Sequence, residues 1–356
     1  MSVRRERRID VLLAASVAVG ILGQWLVTSY VVADGLRVAG LLVALPEWAP
    51  ATWLLQTVPV FFLAGGYARG GERAPNPPRL RPVLVFLLAW GAALAVLSVN
   101  GFSLAAIGEI VGPVLAPLEF LAPYLLLTAI APWLRRAVAR HGWVAALVPA
   151  VCVALVDVVR FTWPTLGWLG HLNTIAVWAV PFLLGLAWRQ GRVSGAWLLG
   201  GGGLLAAALI VLGGYPVAML EVPGAPVSNV APPSAALLAF ACAQCGLAVL
   251  AGDRLGRRAA APRIATVISD AACPLYLWHQ TAPALISLAT VRLGPVAGLT
   301  SPPTDASWLL PRLAWLPLFA ATLVGLLALA RPRRGRPRDR GKGDCRAVAT
   351  CDAVEE

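Results

Sequence analysis

Long apolar segments separated by short basic runs dominate this chain of 356 residues. Hydrophobic residues make up 59% of the chain and charged residues only 13%, whereas a soluble globular domain carries about 25% charged residues. A water-soluble core cannot hide that much apolar surface. The sequence therefore predicts an all-α, polytopic membrane protein, because a helix of about 20 apolar residues spans a bilayer with its backbone hydrogen bonds satisfied.

Ten segments are long and apolar enough to be predicted as transmembrane helices. They cover residues 9–32, 50–68, 82–99, 117–134, 143–161, 171–188, 195–214, 234–251, 264–291 and 309–330. The stretches 35–46 and 101–116 are apolar but short, so each is predicted to be interfacial or re-entrant. The first segment follows several arginines, as in a signal peptide. Because its apolar run is too long and no small-residue cleavage site follows, we interpret it as a retained helix.

The distribution of basic residues tests this ten-helix topology. With the N-terminus in the cytoplasm and strict alternation, 25 of the 29 basic residues fall on the cytoplasmic side, as the positive-inside rule requires. Those left on the outer side are Arg37, Arg160, Arg292 and Arg312. We therefore expect both termini in the cytoplasm and a multi-pass protein of the plasma membrane. Because topology accounts for the net charge of +12, no nucleic-acid partner is expected.

The chain divides into a membrane domain, residues 1–330, and a basic tail, residues 331–356. The tail is expected to be disordered and to lie near anionic membrane lipids. The outer loop at 214–233 is long and rich in Pro and Gly, a combination that is often functional. Cys242 and Cys245 form a C-x-x-C on an apolar segment and are interpreted as small buried residues, so we expect no metal site.

Several short motifs follow one another along the chain. They are Arg8-Ile9-Asp10, V-P-V-F-F-L-A-G-G-Y-A at 58–68, F-L-A-P-Y-L-L-L-T-A-I-A-P at 120–132, G-Y-P-V-A-M at 214–219 with S-N-V-A-P-P at 228–233, and P-L-Y-L-W-H at 274–279. Each is loose alone. Together they resemble the acyltransferase 3 family of membrane proteins, in a form typical of actinobacteria, from about residue 8 to residue 330.

This resemblance implies transfer of an acyl group, often acetyl, from cytoplasmic acyl-CoA to a hydroxyl group. The acceptor would be a glycan, a lipid or an exported secondary metabolite. Acyl-CoA would act as a co-substrate, with no bound cofactor. The resemblance also implies donor-binding arginines near the inner ends of the early helices, for which Arg69, Arg79 and Arg81 are the candidates. Asp10 and Tyr276, which lie in matched motifs, would be supporting residues.

The sequence departs from the family pattern at the expected general base. The family's first-helix histidine corresponds to Gln24, and Leu13 stands at a preceding arginine position. Glutamine has no useful proton affinity, so an active enzyme would need His279 or Glu119 to accept the proton. Two alternatives stay open. One is a catalytically degenerate relative, and the other is a transporter or flippase, because buried polar residues on several helices also suit a substrate path.

Each candidate side chain also has a purely structural interpretation. His279 lies inside an apolar segment, where an ionisable group indicates either function or a hydrogen bond between helices. Glu119 could equally form an ion pair with an arginine of another helix. Asp157 and Arg160 are three residues apart on one helical face, so we expect them to pair mainly for structure. His171, at the outer boundary of a segment, is interpreted as a cap or interface residue.

Overall fold

The computed structural model describes residues 6–33, 35–71, 80–256 and 262–330. Helices build nearly all of these ranges, together with one antiparallel pair of strands, β1 Thr28–Ala33 and β2 Gly35–Gly40. The α-helices are α1 Arg7–Val27, α2 Leu41–Ala44, α3 Thr52–Leu55, α4 Val58–Arg69, α5 Arg81–Val99, α6 Leu104–Leu115, α7 Pro117–Ala129, α8 Ala131–His141, α9 Leu147–Thr162, α10 Asn173–Arg189, α11 Gly195–Gly213, α12 Ala235–Leu255, α13 Arg263–Asp270, α14 Ala272–Trp278, α15 Thr281–Thr290 and α16 Leu309–Ala330. Short 3₁₀ helices occur at Pro46–Ala51, Gly142–Ala146, Pro164–Leu172, Val291–Leu293 and Ala306–Trp308.

The prediction of an all-α, multi-pass membrane bundle is confirmed. Within the described ranges, seven helical stretches are long and apolar enough to cross a membrane, or eight if α6 and α7, which meet at 41°, count as one span. The other two predicted segments, 50–68 and 264–291, are helical but broken, the first into α3 and α4 and the second into α13, α14 and α15. The count of ten spans stays a prediction, as does the cytoplasmic location of the termini.

Two details of the predicted segments are wrong. The first helix ends at Val27 rather than at Val32, because Thr28–Ala33 forms a strand that pairs with Gly35–Gly40 in the stretch predicted to be interfacial. Hydropathy alone could not separate strand from helix here, since Tyr and Val suit both an apolar helix and a strand. The second error lies at 135–142, where the structure has helix α8 instead of a loop.

Contacts between helix ends define two ends of the bundle. At one end, which we call the basic end, the start of α1 meets the last turns of α4, α10 and α12. Its contacts include a 3.2 Å ion pair between Arg8 and Asp253. At the other, the loop end, the β1–β2 pair meets the 214–234 segment and the start of α16. Arg312 Nε there donates to the carbonyl of Trp25 over 2.7 Å.

Helices α4 and α10 cross with almost no space between their backbones. A Cβ atom at Gly66 would lie 2.0 Å from the carbonyl oxygen of Phe182, and one at Gly185 would lie 2.1 Å from that of Leu63. Only glycine fits at either position, as is common where helices pack closely inside membranes. This contact explains Gly66 of the 58–68 motif and fixes α10 against α4, whereas a Cβ atom at the neighbouring Gly65 would lie 2.5 Å from the Tyr124 ring of α7.

Candidate functional site

A groove between α7 and α10 lies near the loop end of the bundle. Its α7 wall includes Glu119, Ala122, Pro123 and Leu126. The facing wall begins with His171, in the 3₁₀ helix Pro164–Leu172, and continues with Thr174, Ile175 and Trp178 of α10. Both sets follow the spacing i, i+3, i+4 and i+7, which marks one face of a helix. The groove has a volume of about 490 Å³.

Glu119 and His171 are exposed at the same end of this groove. Glu119 is a predicted catalytic candidate, and it lies in the electrostatic neighbourhood of His171, whose position in the sequence predicts a cap or interface residue. A carboxylate and an imidazole facing one concave space form a typical acid–base arrangement. The side chains that lie deeper in the groove are almost all apolar, and Trp178, which is fully buried, forms part of its floor.

The segment Val230–Pro233 forms the remaining wall of the groove. It belongs to the long outer loop that the sequence marked as a possible functional element. Asn173 Nδ2 donates to the carbonyl of Pro233 over 3.0 Å, and Arg160 Nη1 donates to that of Pro232 over 3.4 Å. These bonds join the loop to α9 and to the start of α10, so they fix the wall relative to His171.

Asp157 is the centre of this polar cluster. Its carboxylate accepts hydrogen bonds from Asn173 Nδ2 at 3.0 Å, from the Tyr215 hydroxyl at 2.9 Å and from the backbone N–H of Ala235 at 2.7 Å. It also forms the expected pair with Arg160, with Nε 2.8 Å from Oδ1. Burial, together with the adjacent Asp157 carboxylate, raises the pKa of the Tyr215 hydroxyl, which keeps it a donor at neutral pH.

His279 lies at the break between α14 and α15 and is only 2% exposed. Its Nδ1 is 2.7 Å from the carbonyl oxygen of Tyr276. Because a carbonyl can only accept, Nδ1 of the neutral ring carries the hydrogen and Nε2 keeps a free lone pair. Nε2 has no hydrogen-bond partner among the described residues. The ring is therefore in the tautomer that a general base needs, but it does not line the groove.

Gln24 lies close to the same break in the helix. Its Oε1 atom is 3.5 Å from Gln280 Nε2 and 3.5 Å from Thr28 Oγ1. Trp25, the next residue, donates from Nε1 to the backbone oxygen of His279 over 2.9 Å. The structure thus brings Gln24 and the His279 region together at the contact of α1 with α14, and it places Glu119 elsewhere.

A small cavity lies between α1, α4, α7 and α14. Its lining includes Ser16, Thr57, Cys273 and Tyr276, and its volume is about 20 Å³, enough for about one water molecule. Phe120 lines both this cavity and the groove. The ring of Phe120 therefore separates the interior of the bundle from the groove that holds Glu119.

The predicted donor-binding arginines lie at or near the basic end. Arg69, at the end of α4, is half-buried in the electrostatic neighbourhood of the Tyr124 hydroxyl. Arg81 is exposed at the start of α5. Arg79 lies outside the described residues. The supporting residue Asp10 is buried, and its Oδ1 accepts a 3.0 Å hydrogen bond from Ser269 Oγ, which links α1 to α13.

The basic end also holds a charged network that the sequence pattern does not indicate. The Glu6 carboxylate accepts from the Tyr67 hydroxyl at 2.6 Å and forms ion pairs with Arg8 and Arg189. Burial alone would raise the pKa of Glu6, but the hydrogen bonds from Tyr67 and Arg8 and the charges of both arginines lower it below its ordinary value. The sequence shows Glu6 and Arg8 close together at the start of α1, but it does not show that Tyr67 of α4 and Arg189 of α10 join them.

By sequence, Arg312 is one of four basic residues on the predicted outer side. In the structure its side chain is buried and only 1% exposed. Its guanidinium donates to the carbonyl oxygens of Trp25, Thr28 and Gly298. Trp25 and Thr28 lie at the C-terminal end of α1, where carbonyl groups lack helical partners and a positive charge is favourable. Arg312 therefore caps the first span and ties it to α16.

Comparison with known proteins identifies the family. No curated protein and no solved structure matched the chain. The family model described as an acyltransferase domain matches residues 20–331, most of the membrane bundle, including α7, α10 and the break at His279. The chain therefore belongs to the acyltransferase 3 family of membrane proteins.

Proposed function

We propose that the protein is a membrane O-acyltransferase that moves an acyl group from acyl-CoA to a hydroxyl in the groove, with Glu119 as general base. One observation carries this assignment. Of the three catalytic candidates, Glu119 lines the groove of about 490 Å³, while Gln24 and His279 do not. A general base must lie within hydrogen-bond reach of the proton that it removes, so it needs space for a substrate beside it.

The proposed reaction is a single acyl transfer. The acceptor oxygen attacks the thioester carbonyl carbon, so a C–O bond forms and the C–S bond breaks. The hydroxyl proton passes to the Glu119 carboxylate and from there to the departing CoA thiolate, which leaves as the thiol and returns Glu119 to its ionised form. His171, on the facing wall, is placed to donate a hydrogen bond to negative charge that develops on the carbonyl oxygen.

The donor is proposed to enter from the basic end. Arg69 and Arg81 would bind its phosphates, because the planar guanidinium forms paired hydrogen bonds with phosphate oxygens. Beyond Arg69, the ring of Phe61 contacts the rings of both Tyr124 and Tyr276, and Phe61 and Tyr276 line the small cavity. Phe120 would have to move for a thioester to reach Glu119. This direction of entry corresponds to a cytoplasmic basic end in the plasma membrane.

One observation favours a second candidate function, a degenerate relative without transferase activity. Gln24, at the position of the family's histidine, is within hydrogen-bond distance only of the side chains of Gln280 and Thr28 in the part of the chain that the structure describes. If Glu119 does not act as the base, His279 is the remaining candidate, since its Nε2 lone pair is free.

Acyl transfer from labelled acyl-CoA by the purified protein in lipid vesicles tests both functions. Glu119→Gln should lower the rate by about 10²–10⁴-fold, the usual contribution of a positioned general base. Glu109→Gln is the matched control, because Glu109 lies on α6 and its carboxylate accepts from the backbone N–H of Val38 over 2.7 Å, an interaction that an amide oxygen preserves. Equal rates for wild type and Glu119→Gln would exclude Glu119 as the base. Loss of activity in His279→Ala alone would indicate that the reaction takes place at the break between α14 and α15.

Donor binding is tested separately. The double variant Arg69→Gln, Arg81→Gln should weaken binding of acyl-CoA to the detergent-solubilised protein, whereas Arg37→Gln, on the loop-end strand β2, should not. Unchanged CoA affinity in the double variant would mean that both arginines serve only as signals of membrane topology.

A further inference from the structure

The groove between α7 and α10 opens towards the membrane rather than towards the interior of the bundle. Leu126 and Ile175, on its two rims, are 43% and 46% exposed. Both belong to helical stretches that are apolar enough to span a bilayer, so their exposed faces lie against lipid chains. The floor is closed by Trp178, which is fully buried. A molecule can therefore enter the groove sideways from the bilayer.

Polarity changes along the groove in one direction. Glu119 and His171 lie at the loop-end limit of the two walls, and Leu126 and Trp178 lie seven residues further along each helix. Seven helical residues span about 10 Å. Two charged or titratable groups at the membrane boundary, followed by about 10 Å of apolar surface towards the membrane interior, match the polarity of a lipid headgroup followed by its chain.

The groove has one fixed wall at the loop end. Val230–Pro233 forms a wall of the groove, and the backbone of this segment is held by Asn173 and Arg160. Pro232 also packs against Gly170, where an added Cβ atom would lie 2.6 Å from the proline ring. The wall next to Glu119 is thus a fixed part of the fold, while the side between Leu126 and Ile175 faces lipid.

We propose that the acceptor of this enzyme is a membrane lipid that carries a free hydroxyl in its headgroup and that enters the α7–α10 groove laterally. Its hydroxyl group lies between Glu119 and His171, and its chain lies along Ala122, Leu126 and Ile175. This inference rests on the proposed function for its chemistry, since Glu119 is the group that removes the hydroxyl proton. Binding of the lipid in the groove, however, does not require catalysis.

The binding test uses the full-length protein in phosphatidylcholine vesicles that contain a small fraction of diazirine-labelled phosphatidylglycerol, whose headgroup carries free hydroxyls. After irradiation, labelled peptides are mapped. Label should concentrate on α7 and α10, and it should be lost from both helices in Leu126→Trp and in Ile175→Trp, which fill the groove. Leu88→Trp is the control, because Leu88 is 74% exposed on α5 and lies outside the groove. Excess unlabelled phosphatidylglycerol should compete, and phosphatidylcholine should not.

Several outcomes would overturn the inference. Label spread evenly over the exposed helices and unchanged in the tryptophan variants would mean that the lipid is only part of the surrounding bilayer. Equal competition by phosphatidylcholine would show that the headgroup hydroxyl does not contribute to binding. Loss of label from every helix of one tryptophan variant would indicate that this variant is misfolded. The labelling of the other tryptophan variant would then test the inference.

The activity test separates this inference from the proposed function. Wild-type protein should transfer labelled acyl groups to the lipid fraction, and Leu126→Trp should abolish that transfer. Glu119→Gln should lose transfer but retain the photolabel. Transfer only to a water-soluble polyol such as glycerol, unaffected by Leu126→Trp, would overturn the lipid acceptor and leave the acyltransferase assignment standing. No transfer to any acceptor would instead overturn the proposed function, while the photolabel still decides whether the groove binds lipid.

Discussion

Two carboxylates near the loop end, Asp157 and Glu119, lie in opposite surroundings. Asp157 is 2% exposed and is contacted by the side chains of Arg160, Asn173 and Tyr215 and by a backbone N–H. Glu119 is exposed at the edge of an open groove. This difference distinguishes two roles of a carboxylate in a membrane protein, where an ionisable side chain is energetically costly. A carboxylate whose hydrogen-bonding capacity is filled by the fold stabilises it, and one that faces open volume is available to a substrate.

The two carboxylates are nevertheless connected. The Asp157 cluster holds the start of α10 and the Val230–Pro233 segment, and both of these line the groove that contains Glu119. The buried pair therefore has a positioning role for the site, in addition to its contribution to stability. Variants of the two residues should separate these effects.

Asp157→Ala should give the largest loss of stability. Removing one partner of a buried ion pair leaves the other charge buried and uncompensated, which costs about 3–5 kcal/mol, and Arg160 is only 8% exposed. Equilibrium unfolding in mixed detergent micelles measures the change. The double variant Asp157→Asn, Arg160→Gln, which leaves no buried charge, should be less destabilised than Asp157→Ala. A loss below about 1 kcal/mol in Asp157→Ala would mean that solvent reaches Arg160, and the contrast with Glu119 would fail.

Tyr215→Phe should have a smaller effect on the same cluster. It removes one donor to Asp157, the 2.9 Å bond from the phenol, and leaves the other contacts in place. A single hydrogen bond contributes about 0.5–1.5 kcal/mol, and the free energy of unfolding should fall by that amount. In the Asp157→Ala background the same substitution should have almost no effect, because its acceptor is gone. Full additivity of the two changes would show that the phenol acts through other contacts.

The architecture could largely be read from the sequence because it follows from local properties. Runs of apolar residues gave most of the spans, and the i, i+3 spacing of Asp157 and Arg160 gave their pairing. The β1–β2 pair was missed because strand pairing depends on a partner outside the segment, and hydropathy does not report it. The break beside His279 was missed although Pro283 marks it: proline has no N–H to donate to the carbonyl four residues earlier, which is that of His279.

The groove was harder to predict because it is a tertiary feature. Glu119 and His171 are 52 positions apart in the chain, and each alone has an ordinary structural interpretation. The sequence did contain a signal for two facing helical surfaces, since Glu119 and His171 each begin an i, i+3, i+4, i+7 pattern of lining residues. What the sequence could not show is that α7 and α10 lie side by side. That arrangement depends on close packing elsewhere, including the glycine contact between α4 and α10.

Glu6→Gln, at the basic end, should have a small effect that depends on pH. The pKa of Glu6 in the folded protein lies below its ordinary value of 4.5, so its ionised form stabilises the fold above that pH. Its contribution is lost as the pH falls through the lowered pKa, where the folded state also binds the proton. Because Glu6 and Arg189 are each 34% exposed, the difference between wild type and Glu6→Gln at neutral pH should be about 0–1 kcal/mol. It should shrink on acidification. A difference that grows on acidification would contradict the assigned sign.

Glu119→Gln should have the smallest effect on stability, although we expect it to have the largest effect on acyl transfer. The side chain lies at the edge of the groove, and substitutions at exposed positions usually change the free energy of unfolding by less than about 0.5 kcal/mol. Groups held ready for a substrate are often slightly unfavourable to the fold, so a small gain in stability would also agree. Unfolding of Glu119→Gln and Asp157→Ala under identical detergent conditions makes the comparison direct. A loss of several kcal/mol in Glu119→Gln would place this carboxylate with Asp157, as part of the packing of the bundle, and the reacting base would then have to be sought at His279.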